Sequence, residues 1–320
     1  MPEILVDNLT HTFGKGEPGA LTVLDKINLT FESGSFNSII GTSGCGKSTL
    51  LKMMAGLFTP SDGQMTLDGE VIEVGGAHLD AGGLDLLGLI CGSEGQLGVV
   101  TEATLRILHK PEGARPVLIG FDDNEVAGEC VSDIIKAGVL PVAIEFMDRP
   151  CIEATEAFTG AGYPDCEALL IIEVEGSEAE IDDQLSRIIA IAERHDPVEV
   201  RQSASPEQSA KIWLGRKSAF GAMGQINDYM CLDGTIPVSE LPHVLGRIGE
   251  LSDQYGLKVG NVFHAGDGNM HPLILYNANT PGELEKCEAM GADILKLCVE
   301  VGGCLTGEHG VGIEKRALMG

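Results

Sequence analysis

At 320 residues with 43% hydrophobic residues, the chain is long enough to bury a substantial core, and no unbroken apolar run reaches the length of a bilayer span. It therefore reads as a soluble globular chain of about two domains. A formal net charge of −27 and a pI near 4.5 make its surface repel phosphate backbones, which argues against nucleic acid as a partner.

The N-terminal stretch MPEILVDNLTHTF has neither a basic leader nor an apolar core, so no secretory signal is expected there. The nine cysteines are odd in number, scattered and free of any C-x-x-C pair, against a disulfide framework, a zinc ribbon or an iron–sulfur cluster. Residues 1–64 carry little of the acidic excess, which divides the chain into two parts of different character.

In the first part, Asn37-Ser38-Ile39-Ile40 predicts a strand, and Thr49 to Met54 predicts a helix. Between them GTSGCGKST satisfies G-x-x-x-x-G-K-[ST] through Gly41, Gly46, Lys47 and Ser48. The glycines, with Gly44 among them, let backbone N–H groups curl around phosphate oxygens. Lys47 reaches the outer phosphates, and the Ser48 hydroxyl can take Mg²⁺.

With its flanks Ile4 to Leu9, Val23 to Leu29 and Ala55-Gly56-Leu57 before Pro60, this segment resembles the opening of an ABC-transporter ATPase subunit. The resemblance implies ATP and Mg²⁺ at Gly41, Ser43, Gly44, Gly46, Lys47, Ser48 and Thr49, with Phe13 where that family stacks an aromatic ring on adenine. No LSGGQ-type signature, glutamine loop or switch histidine follows. The nearest match to a Walker B strand, Leu169-Leu170-Ile171-Ile172-Glu173, lacks the metal-holding aspartate. ATP hydrolysis is therefore not expected, and weak nucleotide binding is the most the loop should provide.

The second part opens with a Gly-rich loop, Gly92-Ser93-Glu94-Gly95-Gln96-Leu97-Gly98, running into Val99-Val100-Thr101 and an alternating segment to Leu108 that predict strand. By itself such a loop is more often a turn than a ligand cradle. Pro116 to Phe121 predicts a strand, Asp123 to Ala137 a helix and Leu140 to Met147 a strand. A similar unit follows: a strand from Ala168 to Val174, then a helix opened by a capping box at Ser177-Glu178-Ala179-Glu180. Its apolar face is Ile181, Leu185, Ile188, Ile189 and Ala192, and Val198 to Val200 closes the unit. Paired strand–helix–strand units of this kind predict an α+β domain.

Chemistry concentrates toward the end of the chain. In NVFHAGDGNMHP, His264 and His271 flank a Gly-Asp-Gly-Asn reversal that can bring them together. In TGEHGVG, Glu308 stands beside His309 on a Gly-rich segment that lets backbone approach a ligand. Two histidines and a carboxylate are the donor set of an open divalent-metal site; the plainer alternative is structural histidines beside a turn.

GSEGQLGVVTEA resembles the last piece of the FAD-binding domain of the vanillyl-alcohol-oxidase/PCMH superfamily. HAGDGNMH and GEHGVGIEKR are similar to signatures of the FAD-linked oxidase C-terminal domain. Residues 66–320 as a whole resemble the family of bacterial glycolate oxidase catalytic subunits and D-lactate and D-2-hydroxyglutarate dehydrogenases. The resemblance implies an α+β cap of ferredoxin-like strand–helix units over residues 111–320. Residues 65–110 would be the last strands of a PCMH-type FAD domain, and residues 1–64 an incomplete P-loop α/β segment.

It further implies FAD against Gly92, Ser93, Glu94, Gly95, Gly98 and Val99, and zinc, manganese or iron on His264, His271 and Glu308. His309 would be the base near the flavin, and Arg216, in Trp213-Leu214-Gly215-Arg216-Lys217, would grip the substrate carboxylate. Without the resemblance Arg216 reads equally as a salt-bridge residue. The reaction implied is hydride transfer from a small D-2-hydroxy acid to flavin. Other oxidase subunits would receive the electrons, in the cytoplasm or at the inner face of the membrane. The family's pyrophosphate-binding loop has no counterpart here, so tight FAD retention is not expected.

The two resemblances meet in Pro60 to Ile72, where both families use a turn such as Asp68-Gly69 between short strands. A fusion through this shared stretch follows, natural or arising in sequence assembly. An ATP-binding fragment and a non-functional chimera are the alternatives to an oxidase.

Overall fold

The computed structural model describes residues 4–16, 19–32, 46–54, 60–67 and 85–319. The chain divides into two compact units, residues 1–107 and 108–320. In the first, strand β1 (Ile4–Phe13) pairs antiparallel with β2 (Leu21–Phe31) on one side and β3 (Asp62–Leu67) on the other. Helix α1 (Lys47–Met54) lays Leu50 and Met53 on Val6, Leu9 and Leu24, and the one-turn α2 (Leu86–Ile90) follows.

The predicted strand through Val99-Val100-Thr101 toward Leu108 does not form: the segment is irregular, with Val99, Val100, Leu105, Ile107 and Leu108 all exposed. Alternation supplies a face to bury, but a strand also needs a neighbour for its backbone groups, and none pairs with this segment among the described residues. The predicted strand at Asn37 to Ile40 and the Asp68-Gly69 turn lie outside the described residues.

The second unit is α+β. It runs β4 (Gly113–Phe121), α3 (Asn124–Lys136), β5 (Ala143–Asp148), α4 (Arg149–Thr159), β6 (Ala168–Gly176), α5 (Glu178–Ala192) and β7 (Glu199–Gln202). Then come α6 (Pro206–Met223), β8 (Asp228–Cys231), β9 (Gly234–Thr235), α7 (Leu241–Tyr255), β10 (Val259–His264), β11 (Asn269–Met270), β12 (Pro272–Tyr276) and α8 (Glu283–Glu300). The strands join one sheet in the order β7-β4-β6-β5-β10-β11-β9, with β12 on β10 and β8 on β12. The run β7-β4-β6-β5 is antiparallel throughout, the strand order of a ferredoxin-like split unit, with α4 inserted between its middle strands.

Local chemistry explains the boundaries. Asp123 caps α3 by accepting from the N–H groups of Glu125 and Val126. The capping box forms at Ser177 and Glu180, as its spacing predicts. Ile191 joins Ile181, Leu185, Ile188 and Ala192 in the buried face of α5, while Ile189 is only half-buried, because three residues on from Ile188 stays nearer the stripe than one. The Leu169-to-Ile172 run compared with a Walker B strand is the interior strand β6, fully buried, and Glu173 after it accepts from Trp213 Nε1 at 2.7 Å.

Helices cover both faces of the sheet. Residues of α3, α5, α7 and α8 build one core, and those of α4 and α6 build the other. Among the described residues no helix is long and apolar enough to cross a membrane.

Candidate metal and substrate site

The site begins with strand register. His264 ends β10 directly opposite Glu145 on β5 and opposite Asn269 on β11. Directly opposed residues share a face of the sheet, so Glu145 and His264 are neighbours by construction. The four-residue reversal Ala265 to Gly268 returns the chain and delivers His271 beside His264, ring centroids 5.5 Å apart and edge to face. Gly268 is needed here: its φ is +69°, and a Cβ would sit 2.1 Å from the Ile236 carbonyl oxygen.

Each histidine has its Nδ1 engaged. His264 Nδ1 lies 2.9 Å from Glu145 Oε1, and His271 Nδ1 lies 3.1 Å from the Leu232 carbonyl. Both acceptors lack a proton to give, so the neutral rings carry hydrogen on Nδ1 and present Nε2 lone pairs. Those two Nε2 atoms face the same oxygen, Glu308 Oε1, at 3.5 and 3.7 Å. One donor atom from each of His264, His271 and Glu308 lies within 4.8 Å of the others, so the three fit a divalent cation in their chemistry and their convergence.

Glu308 reaches this position on a loop without regular structure, and Asp233 builds that loop. Asp233 Oδ2 accepts from the backbone N–H groups of Gly307, Glu308 and His309 at 3.2, 3.1 and 2.9 Å and from Thr306 Oγ1 at 3.0 Å. Lys315 Nζ adds a bond to Thr306 Oγ1 at 3.1 Å. Burial by itself would raise the Asp233 carboxyl, but these donated hydrogen bonds outweigh it and hold it below its usual range. Gly307 admits no side chain, since a Cβ would meet Asn269 Oδ1 at 2.5 Å. Asn269 Nδ2 in turn donates to Glu308 Oε1 at 3.0 Å.

Arg216 projects from α6 and is 7% exposed, with Nη2 and Nε donating to Glu145 Oε2 at 2.8 and 3.1 Å. Burial pushes the Glu145 carboxyl up, yet the hydrogen bond to His264 and the charge of Arg216 bring it below its ordinary value. His264 is raised, first by its bond to Glu145 and against burial, which lowers it. His309 lies exposed at the end of the Asp233-bound loop.

The residues singled out by sequence divide accordingly. His264, His271 and Glu308 converge; Arg216 stands behind Glu145, one carboxylate away from His264; His309 follows Glu308 in the chain. Gly92, Ser93, Glu94, Gly95, Gly98 and Val99 lie in the other unit, in a mostly exposed segment of turns that runs on without regular structure at Gly98 and Val99. There Gly92, Glu94 and Gly95 have positive φ, and open space lies beside Gly92, Gly95 and Gly98. Gly41, Ser43 and Gly44 are outside the described residues, whereas Gly46 precedes α1 and Lys47, Ser48 and Thr49 form its first turn. Phe13 ends β1, half-exposed and edge-on to His11.

Sequence reasoning missed Glu145, Asp233 and Asn269. Glu145 carried a signal, one of two carboxylates, with Asp148, in the otherwise apolar strand AIEFMD, because a carboxylate is buried only with partners. Asp233 was masked by the following glycine, since Asp-Gly reads first as a turn.

Residues 110–320 match the family of FAD linked oxidases, C-terminal domain, and residues 24–84 match the ABC transporter family. The chain belongs to the FAD linked oxidases through that C-terminal domain. It is 51% identical over 252 residues to the glycolate oxidase subunit GlcD of Escherichia coli (strain K12), covering 78% of this chain and 50% of that protein. It is 29% identical over 252 residues to a mitochondrial D-lactate dehydrogenase [cytochrome] of Arabidopsis thaliana, covering 78% and 44% respectively. The chain thus spans about half the length of the curated relatives it matches. Among solved structures, alkyldihydroxyacetonephosphate synthase shares the fold with a TM-score of 0.51 at 15% identity, over 71% of this chain and 47% of that one.

Proposed function

We propose that residues 108–320 form the metal- and substrate-binding part of an FAD-linked dehydrogenase of small D-2-hydroxy acids, of the glycolate or D-lactate type. The observation that carries the reading is the convergence of His264 Nε2, His271 Nε2 and Glu308 Oε1 in a domain of the FAD linked oxidases. When bound, a divalent cation (zinc, manganese or iron) lowers the pKa of a 2-hydroxyl and the flavin accepts hydride.

In this reading His264, His271 and Glu308 hold the cation, and His309 takes the hydroxyl proton on its imidazole. Arg216 offers the guanidinium N–H groups not used by Glu145 to the substrate carboxylate. Arg216 is 7% exposed, so those groups are largely withdrawn from water. Gly92 to Val99 contribute one strip of the flavin's binding surface. Passage of electrons to partner subunits, in the cytoplasm or at the membrane's inner face, belongs to the same proposal.

Calorimetric titration of the full chain with zinc or manganese, then with D-lactate or glycolate, tests it. Hydroxy-acid binding that appears only with metal and disappears in His271→Ala is the expected result. A chain that binds no metal, or binds the acid equally without it, overturns the reading.

A second reading is favoured by the ABC transporter match over residues 24–84 and by α1, whose first turn carries no acidic residue to repel a phosphate. It assigns nucleotide binding, without hydrolysis, to Gly41–Thr49. ATP binding that is lost in Lys47→Ala supports it, and binding unchanged in that variant refutes it.

A further inference from the structure

We infer that Glu145 is a positioning residue that orients both halves of the substrate site at once, His264 for the metal and Arg216 for the substrate carboxylate. The inference rests on the reading above of those two groups. The two oxygens of the carboxylate serve different partners. Oε1 meets His264 Nδ1 at 2.9 Å, and Oε2 meets Arg216 Nη2 at 2.8 Å and Nε at 3.1 Å. Glu145 is 6% exposed, in a strand whose apolar neighbours Phe146 and Met147 are fully buried.

Stability alone gives no reason for this arrangement. Placing a carboxylate and a guanidinium inside a sheet–helix interface carries a desolvation cost that their attraction must first offset, and an apolar pair of similar volume fills such space as well or better. What an apolar pair lacks is orientation. An ionised carboxylate only accepts hydrogen bonds, so it forces the hydrogen of a neutral His264 onto Nδ1 and turns the Nε2 lone pair toward Glu308. The same carboxylate fixes the plane of the Arg216 fork, and with it the direction of the remaining N–H groups.

His271 is oriented the same way by the Leu232 carbonyl, which no side-chain substitution can remove. His264 is therefore the ligand whose orientation is set by a replaceable group. Glutamine at position 145 offers one acceptor and one donor where the site requires two acceptors, so it can satisfy His264 or Arg216 but not both.

The test uses the full chain labelled with ¹⁵N-histidine and zinc alone as probe. In the wild type, the ¹⁵N spectrum is expected to show hydrogen on Nδ1 and metal on Nε2 for both His264 and His271. Competition with a chromogenic chelator should show Glu145→Gln losing zinc affinity by about 10- to 100-fold, with His264 losing its single tautomer while His271 keeps its own. Glu145→Asp, which retains an acceptor-only group, should recover part of that loss.

Wild-type chain that binds no zinc overturns the metal reading itself, and the inference with it. Wild-type chain that binds zinc while Glu145→Gln keeps both affinity and tautomer overturns the inference alone. Should Glu145→Gln not fold, the wild-type spectrum still decides: His264 ligating through Nδ1 overturns the inference.

Discussion

In the unit of residues 1–107 the described core consists of Val6, Leu9, Leu24, Leu50 and Met53, whereas in residues 108–320 helices pack both faces of one sheet. The difference extends beyond size. Every buried polar or charged residue among those described, including Glu145, Asp148, Arg216, Asp233 and His271, belongs to the second unit. Buried charges require fixed donors and acceptors on rigid elements, because an unmatched one costs more than a small core returns. The second unit supplies such elements on several sides of each group, so it can hold the kind of polar network that chemistry requires. In the first unit, the phosphate-loop motif relies on backbone N–H groups, which a loop presents without a large core behind it.

The contrast is sharpened most by cutting the larger core. Phe146 is 1% exposed and stacks on Phe263 across the β5–β10 pair, ring centroids 4.8 Å apart. Phe146→Ala should lower the stability of its unit by about 3–5 kcal/mol, since the cavity sits between two strands that cannot collapse into it. Trp213, the single tryptophan of the chain, reports on that unit in a urea titration followed by fluorescence. Leu9→Ala, in the smaller core, should leave the Trp213 midpoint where it is. A Trp213 midpoint that moves with Leu9→Ala breaks the comparison.

A smaller effect, confined to one pH window, comes from Asp148. It accepts from the backbone and side-chain nitrogens of Asn261 at 2.7 and 2.8 Å and from Cys151 N, tying α4 to β10. Burial pushes its carboxyl up to about 6, against the opposing pull of the Asn261 bonds. An acid whose folded pKa exceeds its unfolded one holds its proton longer in the native state. Its contribution is therefore most favourable near pH 4 and is lost as pH rises to about 6. The loss is on the order of 2–3 kcal/mol for a shift of this size. In Asp148→Asn that slope disappears, so thermal midpoints of variant and wild type should converge, or cross in the variant's favour, between pH 4 and 6. Parallel pH profiles would show that Asp148 titrates in the native state as it does in the unfolded chain.

How much of this was legible in the sequence depends on whether the signal was local. The capping box at Ser177 and the reversal between His264 and His271 depend on residues a few positions apart, and each forms as its spacing predicts. The segment after Gly98 fails for the opposite reason, because a strand is a property of two chains and alternation describes only one. In the candidate site, motif text pointed to His264, His271 and Glu308. Glu145 and Asp233, which orient them, stand 119 and 75 positions away from the groups they bind. No pattern in one sequence connects such pairs; register across β5 and β10 does.

Asp233 offers the mildest perturbation of the same contrast, because its hydrogen bonds go to the loop and it stands 4.0 Å from the nearest ligand-histidine nitrogen, His271 Nδ1. Three consecutive backbone N–H groups and the Thr306 hydroxyl converge on its carboxylate, an anion nest built from Gly307 to His309. Asp233→Asn keeps the shape and one acceptor oxygen but removes the charge that gathers those donors, and Lys315, 3.7 Å from Oδ2, loses its counter-ion. The loop should then hold Glu308 less firmly while His264 and His271 stay in place on β10 and beyond its reversal. Zinc affinity is expected to fall by about tenfold, equivalent to about 1.4 kcal/mol, with the Trp213 unfolding midpoint little changed. The two readouts separate orientation from packing: a loss of midpoint as large as that of Phe146→Ala would make Asp233 part of the core, and an unchanged zinc affinity would mean that Glu308 needs no help from the loop to reach the metal.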